Sequence, residues 1–128
     1  MTPDDPRAAT LFVHWERFVG WLFLATRRFP RDLRPSLGLA INNLALGIHG
    51  ALCDARFGRD RVERLHEIRV DIDKLRLLLR LSHTLAALDH RSYELSCADL
   101  DRAGSMVGGW LRTLTTPAGA RLAGGRPE

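Results

Sequence analysis

The sequence lacks the features that mark secreted, disulfide-rich or membrane-spanning proteins. Its 128 residues contain only two cysteines, Cys53 and Cys97, which fit free cytosolic thiols better than the alternative of a disulfide between them. Charged residues interrupt the most apolar stretch before it reaches the roughly 18 residues that a spanning helix needs. Asp4 and Asp5 precede any basic residue, unlike the start of a secretory signal. We therefore expect a cytoplasmic protein that does not enter a membrane.

Lysine is almost absent, because Lys74 is the only lysine among 19 basic residues. These oppose 15 acidic residues, which gives a formal net charge of +4 and a pI near 10.0. Excess positive charge favours acidic partners such as nucleic acid or an acidic protein surface. An arginine bias of this kind often reflects a GC-rich genome, so the choice of arginine over lysine carries little weight. A hydrophobic content of 45% excludes a disordered chain, and the length suits one domain.

Apolar residues recur at three- and four-residue spacing in four segments, and no segment alternates as a strand does. The predicted helices cover residues 8–28, 36–57, 60–88 and 92–114. Pro30 and Pro35 separate the first two, Gly58 ends the second, and Asp60 is the predicted N-cap of the third. Short connections predict an all-α, up-down-up-down four-helix bundle over residues 8–114. Residues 1–7 and 115–128 are predicted to be disordered ends.

The third predicted helix carries two apolar seams. The first seam predicts the contact inside the bundle and contains Leu65, Ile68, Ile72, Leu75, Leu79 and Ser82. The second seam is rotated from the first and contains Leu78, Leu81, Leu85 and Leu88. A helix in a monomeric bundle needs only one apolar stripe. The second seam therefore predicts an interface between subunits of a ring-forming homo-oligomer.

Candidate catalytic and metal sites are weak in this sequence. Glu63 and His66 have the Glu-x-x-His spacing of di-iron bundles, but no second such motif accompanies them. The five histidines are scattered along the chain, without the spacing of metal ligands. No base adjoins Ser105 or Cys97 in the sequence, and no glycine-rich phosphate loop follows a strand. We predict a protein that is not an enzyme and that needs neither a metal nor a cofactor.

Basic residues form two groups that predict a nucleic-acid-binding surface. The first group lies at the first helix connection and contains Arg27, Arg28, Arg31 and Arg34. The second lies on or near one polar stripe of the third helix and contains Arg69, Lys74, Arg76 and Arg80. The fourth helix is acidic, which predicts one basic and one acidic surface. The alternative is a solvated face in which Asp73 pairs with Arg69 and Arg76, although this leaves Arg80 without an acidic partner one turn away.

Three stretches together resemble a known family. They are Arg28-Phe29-Pro30-Arg31 running to Leu37-Gly38, the segment KLRLLLRLSH at 74–83, and MVGGWLR at 106–112 following Tyr93-Glu94. Their order and spacing are similar to those of the four-helix-bundle family that contains the accessory variability determinant (Avd) of diversity-generating retroelements. The same family includes the 23S ribosomal RNA intervening-sequence proteins. The resemblance covers roughly residues 11–112.

The resemblance implies a barrel-shaped homopentamer without a catalytic centre. Such a protein binds the reverse transcriptase of the retroelement together with template RNA and DNA, and it supports mutagenic cDNA synthesis. The eight basic residues would then contact the reverse transcriptase or nucleic acid. The alternative is a structural oligomer of the intervening-sequence type that has no polymerase partner.

Overall fold

The computed structural model describes residues 6–115, which form four α-helices and no β-strand. The helices are α1 (Pro6–Thr26), α2 (Leu39–Phe57), α3 (Arg61–Thr84) and α4 (His90–Thr115), and one π-helical turn (Arg34–Gly38) leads directly into α2. The predicted all-α, four-helix fold is confirmed. Residues 6, 7 and 115 are helical, which corrects the predicted ends of the bundle. The rest of the predicted disordered ends, 1–5 and 116–128, lies outside the described residues.

The helices pack in chain order, and α1 also packs against α4, so the four close into a bundle. Trp15 on α1 donates from Nε1 to the carbonyl of Ala45 on α2 across 3.1 Å. On the other side of α1, His14 Nε2 lies 3.0 Å from the carbonyl of Asp99 on α4. The core between the helices is apolar and includes the fully buried Trp15, Phe18, Leu22, Ile41, Ile48, Leu65, Leu75, Leu79, Leu100 and Val107. Each helix therefore contributes one buried stripe, as the spacing predicted.

The connection between α1 and α2 is held to the core at both of its ends. Phe29 is 2% exposed and Leu37 is 8% exposed, so both side chains anchor it. The carbonyl of Pro30 accepts hydrogen bonds from the N–H groups of Leu33 and Arg34. The Gly38 N–H then donates to the Leu33 carbonyl across 2.9 Å, which closes the π-helical turn. A fixed connection of this kind holds its arginines at a defined place on the bundle.

Helix α3 ends at Thr84, whereas the periodicity predicted a helix to residue 88. Ala86 takes a left-handed backbone conformation, with φ 59°. The Ala86 N–H donates to the His83 carbonyl, and the Ala87 N–H donates to the Ser82 carbonyl. This hydrogen-bond pair is the Schellman motif that closes a helix. The reversed chain then places Leu88 in the core, where it is 4% exposed.

The early end of α3 breaks up the predicted second seam, so its prediction as one continuous surface is wrong. Leu88 lies in the core, beyond the helix, and Leu78 is half-buried against the core. Only Leu81 and Leu85 stay at the surface, 45% and 49% exposed. The packing of Leu88 determines this outcome, because the chain must turn back after Thr84 to bring it inside.

Helix α2 is unusually apolar. With the π-helical turn before it, the segment at 34–57 is long and apolar enough to cross a membrane, judged by length and composition alone. A core helix of a bundle passes the same test, and Ile41, Ile48 and Leu52 of α2 are buried against the other helices. Only 33% of the apolar segment is buried, so the apolar character of α2 extends beyond the face that the bundle covers.

Candidate nucleic-acid interface

Four arginines of the α1–α2 connection lie exposed at one end of the bundle: Arg27, Arg28, Arg31 and Arg34. Within residues 6–115 none of them forms an ion pair with a carboxylate. Because the helices alternate in direction, the α3–α4 connection lies at the same end. A donated hydrogen bond from the Ser92 N–H lowers the pKa of the Asp89 carboxyl in that connection, and the positive charge of Arg28 adds to the effect. The structure thus brings this predicted group together.

Part of this cluster borders a shallow hollow of about 420 Å³ beside the π-helical turn. Arg31 and Arg34 line it together with Pro35, Leu39 and Asn42. The Asn42 Oδ1 is engaged, because it accepts a hydrogen bond from the Thr26 hydroxyl across 3.1 Å. Two guanidinium groups beside the exposed side chain of Leu39 suit a ligand that carries both negative charge and apolar surface.

The polar stripe predicted on the third helix, which carries Arg76 and Arg80, lies on the side of α3 that faces α4. Arg76 Nη1 lies 2.6 Å from Asp101 Oδ1 on α4, and Arg76 Nε lies 3.9 Å from Asp73 Oδ1 on its own helix. The prediction of separate basic and acidic surfaces is therefore wrong at this point, because a carboxylate of the acidic helix neutralises an arginine of the stripe. Arg80, one turn further on, is exposed and makes no ion pair in the described part of the chain.

Lys74 does not join this stripe. Residues two apart in an α-helix point about 200° apart around its axis, so Lys74 and Arg76 occupy opposite sides. The Lys74 ammonium lies 3.8 Å from the Asp71 carboxylate. The predicted grouping of Lys74 with Arg76 and Arg80 is corrected accordingly, since nearness in sequence does not place side chains on one helix face.

A groove of about 480 Å³ runs between α3 and α4. It is lined by Arg69, Ile72, Asp73 and Arg76 from α3 and by Asp101, Gly104, Ser105, Gly108 and Arg112 from α4. Arg112 is not among the site residues predicted from the sequence. A signal for it existed in the two glycines that precede it by one turn, because side chains three and four residues apart in a helix are neighbours.

The Arg112 side chain extends towards the N-terminal end of its own helix and lies over these two glycines. A Cβ built on Gly108 would lie 3.7 Å from Arg112 Nη1, and one on Gly109 would lie 3.8 Å from Nη2. A Cβ on Gly104 would meet no atom within 4 Å, so the floor of the groove is open there. The glycines of the 106–112 motif thus leave room in which a guanidinium group rests on the helix.

His83 in the last turn of α3 contacts His90 and Tyr93 at the start of α4. The ring of His83 stacks on Tyr93, with centroids 4.7 Å apart, and His83 Nε2 lies 3.4 Å from His90 Nδ1. His90 Nε2 in turn lies 2.8 Å from Glu94 Oε1. A hydrogen bond with Cys97 raises the pKa of the Tyr93 hydroxyl. These polar contacts connect α3 to the start of α4.

No group of three or more ligating side chains in the described residues could hold a metal ion. Glu63 and His66, the pair with di-iron spacing, are both exposed on α3 and do not point into the core.

A family model described as bAvd-like matches residues 11–114. No curated protein and no solved structure gives a significant match. The matched range runs from the first turns of α1 to the end of α4 and contains all three motifs on which the resemblance rests. The chain belongs to the bAvd-like family.

Proposed function

We propose that this protein is a non-enzymatic accessory subunit of a diversity-generating retroelement. It binds the reverse transcriptase together with template RNA or DNA in the cytoplasm and supports mutagenic cDNA synthesis. The observation that carries the proposal is the family match across all four helices. The exposed arginines of the α1–α2 connection support it, because guanidinium groups that lie together and form no ion pair within residues 6–115 suit phosphate groups.

We further propose a homo-oligomer, a pentamer by family resemblance, in which copies meet through the outer surface of α2 and α3. We call this surface the outer apolar face; it contains the exposed Leu39, Leu46, Phe57, Val70, Leu77, Leu81 and Leu85. From Leu39 to Cys53 the sequence has no Asp, Glu, Lys or Arg, although half of each turn points outward. An exposed helix face without charge is unusual for a monomer. A second copy of the chain would cover this face.

The test is co-expression with the reverse transcriptase encoded next to this gene. We expect the two proteins to co-purify, and we expect cDNA synthesis from the template RNA to fall when this chain is omitted. The variant Arg31→Gln/Arg34→Gln should lower cDNA yield. Its control, Arg64→Gln/Lys74→Gln, removes the same charge from arginine and lysine groups already paired with Glu67 and Asp71.

Two results would contradict the proposal. One is the absence of a reverse-transcriptase gene and a template-repeat pair near this gene, together with a stable oligomer in isolation. That combination favours the structural intervening-sequence type. The other is undiminished cDNA synthesis when this chain is left out of the reaction.

A further inference from the structure

The groove between α3 and α4 carries positive charge that the ion pairs of the bundle leave uncompensated. Its carboxylates are Asp73 and Asp101, and both lie within ion-pair distance of one guanidinium group, that of Arg76. The other two arginines of the groove, Arg69 and Arg112, make no ion pair within residues 6–115. Arg69 and Arg112 therefore have no ion-pair partner there, and the three arginines and two carboxylates give the groove a formal net charge of +1.

The register between α3 and α4 places these two groups opposite each other. The Arg76–Asp101 ion pair marks that register. Arg69 precedes Arg76 by as many residues as Gly108 follows Asp101, so in antiparallel helices Arg69 and Gly108 lie at one level. The Arg112 guanidinium rests over Gly108 at that level. Arg69 and Arg112 thus face each other from the two walls of the groove.

The floor of the groove is bare helix. Gly104 has nothing within 4 Å of its Cβ position, so no packing within the bundle requires a glycine there. A glycine inside a helix lowers stability relative to alanine by about 1 kcal/mol. An open floor between two opposed guanidinium groups suits a bulky anion that approaches the helix backbone closely. The sugar-phosphate chain of a nucleic acid has this form.

We propose that the α3–α4 groove binds the phosphodiester backbone of single-stranded nucleic acid, with Arg69 and Arg112 as its phosphate contacts. Arg76 lies in the same groove but is already paired with Asp101, so it is not counted as a phosphate contact. This inference rests on the proposed nucleic-acid function and assigns a location to it that family membership does not supply.

The experiment measures fluorescence anisotropy of a labelled single-stranded RNA over a range of salt concentrations. The variant is Arg69→Gln/Arg112→Gln, and its control is Arg64→Gln/Lys74→Gln, which removes equal charge from the far side of α3. Each phosphate contact on a single strand adds about −0.7 to the log-log salt slope. Loss of two contacts should therefore weaken binding about 25-fold at 0.1 M salt and flatten the slope by about 1.4. The control should retain most of the affinity.

A second variant, Gly104→Leu, fills the floor without changing charge. We expect it to keep the helical circular-dichroism signal and to weaken RNA binding. If it binds RNA as the unmodified chain does, the arginines act outside the groove and the inference is wrong. Titration with inorganic phosphate alone should show much weaker binding than RNA. Equal affinity for inorganic phosphate would identify a small-anion site and overturn the inference.

The outcomes separate this inference from the proposed function. If the unmodified chain binds RNA and the Arg69→Gln/Arg112→Gln variant binds it with the same affinity and salt slope, the groove is not the RNA-binding site. The accessory function could then still rest on the α1–α2 arginines. If the unmodified chain binds no RNA at all, the groove inference and the nucleic-acid part of the proposed function both fail.

Discussion

Ala86 holds a backbone conformation that alanine rarely adopts. Its φ of 59° lies in the left-handed region, where a Cβ costs about 1–2 kcal/mol. The position is C′ of the Schellman motif, which glycine usually occupies. Replacement by glycine removes the unfavourable contacts of the Cβ. It also stabilises the unfolded chain by about 0.4–1 kcal/mol, because glycine has more conformational freedom.

We therefore expect Ala86→Gly to stabilise the protein by about 0.5–1 kcal/mol, measured as a shift in the midpoint of urea unfolding. The neighbouring Ala87→Gly is the control. Ala87 packs partly against the core and has no positive φ, so its replacement should destabilise the protein. Equal effects of the two changes would show that the left-handed conformation at Ala86 carries no strain.

Asp89 is the N-terminal cap of α4, and its carboxylate should make the stability of the fold depend on pH. Its Oδ1 accepts a hydrogen bond from the Ser92 N–H across 2.7 Å, which is the main cause of its lowered pKa. The folded pKa lies below the ordinary value of 3.8. The stabilisation is therefore complete above that ordinary value and is lost as the pH falls through the lower, folded pKa.

The measurement is the melting temperature of the unmodified chain and of Asp89→Asn between pH 7 and pH 2. Asparagine caps helices well but does not titrate. We expect the difference between the two proteins to change as the pH drops below 3.8, with the unmodified chain losing more stability. A constant difference over the whole range would mean that the carboxylate does not cap α4.

The end of α3 shows what hydrophobic periodicity can and cannot predict about an element. Leu85-Ala86-Ala87-Leu88 contains only residues that favour helices, without a glycine or proline, so the pattern predicts that the helix continues. The core requires Leu88 on the inside and Asp89 at the cap of α4, and tertiary packing overrides the local preference. The type and order of all four helices were predictable because each has a long apolar stripe. The end of α3 was not, because it depends on a contact with the core.

The outer face of α2 illustrates a second limit. Its apolar residues lie on the outer side of the helix as well as on the predicted inner stripe, so the core of the bundle does not account for all of them. The structure buries Ile41, Ile48 and Leu52 and leaves Leu39 and Leu46 exposed. The seam predicted on α3 was therefore only part of the exposed apolar surface, which also includes Leu39, Leu46 and Phe57 of α2.

We expect Leu46→Asp to dissociate the proposed oligomer. Leu46 is 49% exposed on the charge-free stretch of α2, and a carboxylate there would be buried without a partner at a subunit interface. Leu95→Asp is the control, because Leu95 on α4 is also 49% exposed but lies outside the outer apolar face. Light scattering at micromolar concentration reports the mass of each variant.

The Leu95→Asp variant should keep the mass of the unmodified chain. If both variants keep it, the α2 surface is not the interface. If the unmodified chain is itself a monomer, the proposed oligomer does not form.

At the scale of the whole molecule, the two groups of basic residues differ in how far the sequence could predict them. Arg27, Arg28, Arg31 and Arg34 are close in the chain, so a short connection brings them together in any fold. The groove joins Arg69 to Arg112, which are far apart in sequence. Their meeting depends on the register of α3 against α4, which no local pattern contains. The same register brings Asp101 to Arg76 and so removes the predicted separation of charge.

Asp101 opposes the binding of any anion in this groove, and its neutralisation should strengthen binding. Asp101→Asn removes a negative charge from the groove and releases Arg76 from its ion pair. A unit charge at about 4 Å in water is worth about 1 kcal/mol, so we expect the affinity for single-stranded RNA to rise about three- to tenfold. The cost in folding stability should stay below about 1 kcal/mol, because the Asp101 side chain is 69% exposed.

The control is Asp99→Asn, which makes the same change in net charge on the same helix. Asp99 lies two residues from Asp101 and therefore points about 200° away from it, outside the lining of the groove. Fluorescence anisotropy gives the RNA affinity of both variants, and urea unfolding gives their folding stability. A gain in RNA affinity with Asp101→Asn alone locates the anion in the groove, whereas an equal gain with Asp99→Asn means that only the total charge matters. Because Asp101→Asn is expected to weaken the fold and strengthen binding, its effect on affinity cannot be explained by loss of structure.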